Sequence, residues 1–222
     1  MSSTLKNAPD KKSAPKAGRR RLSPEARRGE LMACALEVFA RRGLGEARHA
    51  EIAAEAGVSV PTVFFYFPNR EVLVDAVLDE VDSFLIEMAR GVHAMPRPAD
   101  AVLLDHLRGF AASVESSPAH ARIWLDWSTA VREQFWQRYL DFIERMLAIV
   151  RTTLERGQRE GTISRSSDAD AQARLLVGSA HMLALMKISG SPPEKLEHFF
   201  GTLMEAVIGR PGVAARPKGR PR

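Results

Sequence analysis

Ser59-Val60-Pro61-Thr62, followed one helical turn later by Phe65 and Tyr66, puts two hydroxyls, two compact apolar groups and two rings on one short segment. Ser59 and Thr62 can hydrogen-bond phosphates or base edges, and Val60 and Pro61 can pack on thymine methyl groups. Tyr66 and Arg70 suit phosphate contacts, which position a reader without reading sequence. Arg48 and the run Arg19-Arg20-Arg21 add positive charge on the N-terminal side. Such chemistry fits double-stranded DNA. Catalytic alternatives find less support. His49-Ala-Glu51 matches the opening of a zinc-deaminase signature, but the paired cysteines that signature requires are absent. No P-loop and no dinucleotide fingerprint is present, so no cofactor is expected. The 6 histidines are scattered singly. Cys34, the single cysteine, excludes an internal disulfide and any cysteine-based zinc cluster. No residue set can be nominated for catalysis, and no enzyme activity is expected.

The elements that must position these residues read as helices throughout. Ser23 and Pro24 form an N-cap and first helical residue, Leu31, Cys34, Ala35, Val38 and Phe39 form one buried stripe, and Gly43 ends the helix. A short helix over His49–Ala56 stops at Gly57, and Ser59 caps another over Val60–Tyr66. Two short helices joined by a glycine-containing turn make a helix-turn-helix. In that unit the second helix enters the major groove, N-terminal residues foremost. Asn69 caps a long fourth helix with the stripe Leu73, Val77, Val81, Phe84, Leu85 and Met88. Phe135, Tyr139, Phe142, Met146, Ile149 and Thr153 mark a later amphipathic helix. The last pair spans about 168–189 and 193–208 and is separated by Gly190, Ser191 and Pro192. The fold class is therefore all-α, with about nine helices.

Charge divides the chain further. The net +5 conceals two basic ends: Lys6, Lys11, Lys12, Lys16, Arg19, Arg20 and Arg21 face one acid, Asp10, and Arg210, Arg216, Lys218, Arg220 and Arg222 face none. The body between them is acidic. The expected organisation is a basic flexible arm over 1–22, a DNA-binding unit over 23–69, a helical regulatory and dimerisation unit over 70–209, and a basic flexible tail over 210–222. The ends either meet a polyanion or stay solvated. Pro217-Lys-Gly-Arg-Pro-Arg222 resembles an AT-hook core with Lys218 in place of its first arginine. No apolar run approaches a membrane span. Met1–Arg21 lacks the apolar region of a secretory signal, which points to a reducing cytoplasm.

Residues 23–75 resemble the N-terminal domain of TetR-type transcription regulators. The resemblance is carried by Leu36-Glu-Val-Phe-Ala-Arg-Arg-Gly43, Ile52-Ala-Ala-Glu-Ala-Gly-Val-Ser59 and Thr62-Val-Phe-Phe-Tyr-Phe-Pro-Asn-Arg-Glu71. Arg21-Leu-Ser-Pro24, Ala40-Arg-Arg-Gly-Leu-Gly45, His49-Ala-Glu-Ile-Ala53, Val58-Ser-Val60, Ile123-Trp-Leu-Asp-Trp-Ser128 and Arg132-Glu-Gln-Phe-Trp136 are similar to the LuxR/HapR/SmcR branch, the quorum-sensing master regulators of vibrios. The family implies a homodimer paired through its last two helices and acting on pseudo-palindromic DNA. It also implies a pocket enclosed by the fourth to eighth helices. That pocket would be lined by Leu85, Met88, His106, Leu107, Phe110, Trp124, Leu125, Ile143, Leu147 and Val150. Those residues suit a small hydrophobic effector, or are ordinary core. The chain departs from the branch at Pro61, at Phe65 where an asparagine is usual, and at Ile143 where a polar residue is usual. The expected function is a sequence-specific, quorum-sensing-type global regulator. The alternatives are a local repressor released by an apolar effector and an architectural protein coating DNA through its tails.

Overall fold

Each chain break named above ends a helix for a local reason. The Ser23 hydroxyl accepts the Ala26 N–H at 3.2 Å, and α1 runs over Pro24–Arg42. Gly43 then turns the chain with φ +83°, a region that favours glycine. The computed structural model describes residues 23–132 and 134–209; the arm with Arg19, Arg20 and Arg21, the Pro217–Arg222 tail and Glu133 lie outside them. Among the described residues, α2 covers His49–Ala56, α3 Val60–Tyr66, α4 Arg70–His93 and α5 Ala99–Ser116. Next come α6 over Pro118–Thr129, α7 over Trp136–Glu160, α8 over Ala169–Ile188 and α9 over Pro193–Ile208. The described residues are all-α, with nine helices and no strand. None of these helices is long and apolar enough to cross a membrane.

The core is continuous from α1 to α9. Helix α4 leaves the helix-turn-helix through Asn69, whose Oδ1 accepts the Val72 N–H at 2.8 Å, and packs against α5, α6 and α7. Covered on several sides, it buries Val74, Leu78, Asp82 and Ile86 beside Leu73, Val77, Val81 and Leu85. Phe84 and Met88, expected on a single stripe, are only half-buried. An ionic ladder ties α4 to α7: Arg138 reaches Asp75 at 3.4 Å and also pairs with Asp79, and Arg145 pairs with the buried Asp82. Where α7 passes the start of α5, the chain has no room for a side chain at Gly157. A Cβ there would lie 2.5 Å from the Ile163 side chain and 2.9 Å from that of Ala99.

Candidate nucleic-acid interface

The recognition unit is built on a small apolar seam. Ile52, Ala53 and Ala56 of α2 and Val63 of α3 point inward with Phe67, which is fully buried. Gly57, at φ +61°, makes the turn between the helices, and the Val58 N–H closes on the Ala53 carbonyl at 2.9 Å. His49 joins the two ends of the unit. Its Nε2–H donates to the Phe67 carbonyl at 2.8 Å, and its ring stacks on Phe64 at 4.2 Å. The histidine that opened a deaminase-like triplet thus has a structural task, tying the start of α2 to the end of α3.

What this seam leaves outside is apolar. Phe65 is 78% exposed, Phe64 45% and Val60 36%. Pro61 is also exposed, and Thr62 is half-buried. Pro61 and Phe65 lie one turn apart, so Ser59, Val60, Pro61, Thr62 and Phe65 gather at one end and flank of α3. Tyr66 is half-buried, with its ring edge-on to Phe65 at 5.1 Å. Ser59 occupies the N-cap position, but its side chain makes no cap bond to the backbone. Instead its hydroxyl pairs with that of Thr62 at 2.8 Å, a correction to the capping role read from sequence.

The cations are arranged less simply. Arg48 stands exposed at the start of α2, 3.9 Å from Glu46. Arg41 and Arg42 pair with Glu55 at 3.2 Å and Glu51 at 2.6 Å. Arg70, read as a phosphate partner, turns back toward the α1–α2 turn. Its guanidinium donates to the Leu44 carbonyl and, at 2.8 Å, to that of Gly45.

The interior residues read as a pocket lie in or against the common core. Leu85, Leu107, Phe110, Trp124, Leu147 and Val150 are buried, with Met88, Leu125 and Ile143 half-buried against them. Phe110 meets Trp124 edge-on at 5.4 Å, and His181 of α8 lies against the indole at 4.4 Å. The Trp124 Nε1–H is buried and finds no acceptor among the described residues. His106 is engaged elsewhere: its Nδ1 lies 3.1 Å from His93 Nε2, and His93 Nδ1 lies 2.7 Å from the Thr153 hydroxyl. Burial, then the neighbouring His106 and Arg156, push His93 down to about 3, and burial pushes His106 down to about 4. Both rings are neutral at pH 7. Cys34, read as part of a buried stripe, is only half-buried, and burial, then the nearby Glu55 and Glu30, raises its thiol. His93 escaped the sequence reading because it belongs to no motif and its partners lie on other helices. Among the described residues no cluster of three or more His, Cys, Asp or Glu could hold a metal ion.

Comparison with known proteins places this architecture. A model of bacterial regulatory proteins of the tetR family matches residues 31–77, which span the whole helix-turn-helix. The transcriptional regulator LuxR of Vibrio harveyi is 33% identical over 174 residues, covering 76% of this chain and 82% of that protein. The chain belongs to the TetR family. Another relative in the family, the regulator EthR of Mycolicibacterium smegmatis, is 28% identical, over 81% of this chain and 85% of that protein. Among solved structures, a TetR-like regulator from Rhodococcus sp. RHA1 superposes with TM-score 0.71 at 20% identity, over 86% of this chain and all of that one. FadR from Bacillus subtilis, solved with stearoyl-CoA, superposes with TM-score 0.67 at 17% identity, over 82% of this chain and 97% of that one. The protein is a DNA-binding transcriptional regulator of the TetR family, and the relatives that show it are named as regulators rather than enzymes.

Proposed function

We propose that this TetR-family regulator acts as a homodimer on pseudo-palindromic sites in the cytoplasm, bound to the nucleoid, as a quorum-sensing-type global regulator. Residues 23–69 form its DNA-binding unit and residues 70–209 its regulatory and dimerisation unit. The observation that carries the DNA-reading assignment is the exposed phenyl of Phe65, 78% accessible beside Ser59, Val60, Pro61 and Thr62. With the exposed Val60 and Phe64 on the same short helix the ring makes an apolar patch, the kind of surface that marks a partner site. Tyr66 and Arg48 supply phosphate contacts at the edges of that surface, and Arg70 holds the turn behind it. The likeness to LuxR over most of the chain supports the global role.

A second copy pairs through the last two helices. Leu175, Met182, Leu185 and Ile188 of α8, each about half exposed, support this pairing. Two-fold symmetry then calls for half-sites about 34–36 Å apart. Immunoprecipitation of bound DNA across the genome tests the reading. Many sites sharing a pseudo-palindrome sustain the global regulator, one or two sites beside the gene itself move the protein to a local repressor, and broad A·T-rich coverage without a motif favours an architectural role. Since Phe65 stands where the vibrio branch carries an amide, the selected site differs from a vibrio operator at the base pair that the amide would read. Equal affinity for both operators would sink that expectation.

One observation favours effector control. The buried, unpaired indole N–H of Trp124 lies against Phe110 and His181, so a small apolar molecule bearing one hydrogen-bond acceptor would find a donor there. Such an effector releases DNA only by preferring a conformation in which the recognition helices are mis-spaced. Quenching of tryptophan fluorescence by an aliphatic lactone or ketone, lost in Trp124→Phe, tests it.

A further inference from the structure

The turn joining α1 to α2 is gripped from outside the helix-turn-helix. From α6, Asp126 Oδ2 accepts the Leu44 N–H at 2.6 Å, a bond spanning 82 positions of sequence. From the first residue of α4, Arg70 donates to the Leu44 and Gly45 carbonyls. Both backbone polar groups of Leu44 are therefore held by side chains, while its own side chain is buried. The carboxylate sits so close that a Cβ on Gly43 would lie 3.2 Å from Oδ2, and Gly43 already needs φ +83°. The glycine that stops α1 is also what admits Asp126.

The two grips differ in kind. Arg70 follows directly on Pro68 and Asn69 and so travels with the recognition unit. Asp126 belongs to α6, which packs on α4, α5 and α7 in the body and also on α1 of the DNA-binding unit. Beyond Leu44 the connections are stiff. Ala47 is fully buried, α2 starts at His49, and His49 holds the Phe67 carbonyl at the end of α3. A displacement of the α1–α2 turn relative to α6 is therefore passed to the recognition helix.

We propose that Asp126 is a positioning residue for DNA recognition: its carboxylate, fastened to the Leu44 amide, sets the pose of the recognition unit on the body and so the distance between the two recognition helices. The proposal rests on the homodimer reading above. A short hydrogen bond from an amide to a charged acceptor is directional, so it fixes orientation where apolar packing alone permits sliding.

The test uses the full chain and a duplex selected from a random library by the wild-type protein, together with duplexes lengthened or shortened by one base pair at the centre. Wild-type protein prefers one spacing. Asp126→Ala loses about tenfold in affinity at that spacing, the loss expected for a hydrogen bond to a charged group, and little at the others. Asp126→Asn, whose amide oxygen still accepts from Leu44, restores the preference. Amide exchange at Leu44 rises in the alanine variant and not in the asparagine variant, and this readout needs no operator. Two results overturn the assignment: an unmoved spacing preference in Asp126→Ala, or an equal loss at every spacing that Asp126→Asn fails to rescue. A selected site without two-fold symmetry instead overturns the dimer reading, leaving the exchange measurement to decide whether Asp126 holds the turn.

Discussion

Two of the aromatic groups of this molecule are treated oppositely. Trp127, Tyr139 and Phe142 meet at the α6–α7 junction with ring centres 5.5–6.1 Å apart, and all three are buried. Phe64, Phe65 and Tyr66 follow one another on α3, and the middle ring is 78% exposed. The first group spends its apolar surface within the chain, where it stabilises the body. The second leaves that surface in water, so its stabilisation is realised only when a partner covers it. Polar groups mirror the difference. Around the helix-turn-helix they hold the backbone in place through His49, Asp126 and Arg70; inside the body the buried Trp124 indole N–H goes unmatched.

The contrast can be broken most forcefully in the body. Trp127 is fully buried and donates its indole N–H to the Phe135 carbonyl at 3.2 Å, so Trp127→Ala removes about 3–5 kcal/mol of stability. Chemical denaturation checks this, and a variant that unfolds at the wild-type midpoint contradicts the assignment of the ring to the core. Acid comes next. His93 and His106 are held at about 3 and about 4 in the folded chain, below the ordinary 6.5, so the native state favours their neutral forms. Their contribution is complete above pH 6.5 and is lost as pH falls toward 4. A fall of roughly 2–4 kcal/mol between pH 7 and 5 follows from linkage. In His93→Asn/His106→Asn the slope of stability against pH should flatten over that window.

At the other end the expected change is in binding and not in folding. Phe65→Ala should cost about 1–3 kcal/mol in affinity for the selected site, the range of a specific base contact, with an unchanged unfolding temperature. Loss of stability with unaltered DNA affinity would reverse the roles given to the two aromatic groups. The smallest effect belongs to the ionic ladder. Arg138 meets Asp75 and Asp79 at exposed positions, so Arg138→Ala shifts stability by less than about 1 kcal/mol, and by less still at high salt. A larger, salt-insensitive loss would mean that the α4–α7 seam depends on its charges.

Helices were legible from local chemistry alone. Ser23-Pro24 with Gly43, Gly57, Asn69 and Pro192-Pro193 mark ends that recur in the structure, because caps and breakers act within a turn of themselves. The surface of α3 was legible in composition, through Ser59, Val60, Pro61, Thr62 and Phe65, but not in bonding. Nothing local tells a serine to choose the Thr62 hydroxyl over a backbone N–H. The contacts that hold the reader in place were out of reach altogether. Leu44 and Asp126 are 82 positions apart, and His93, His106 and Thr153 come from three helices. Periodicity identifies which face of a helix is buried; it carries no record of which polar group on another helix will meet it.

The hydroxyls of Ser59 and Thr62, 2.8 Å apart, have no fixed polarity, since either oxygen can give the proton to the other. Turning both hydrogens reverses the pair, so the outward donor and the outward lone pair exchange places between the two oxygens at little energetic cost. A base step opposite the pair could therefore change identity and still be met, whereas one opposite the Phe65 ring has only a methyl group or a hydrophobic edge to offer it. Selection acting on promoters would then find tolerant letters and intolerant letters side by side in a single half-site. A regulon could drift at the first kind while staying anchored at the second.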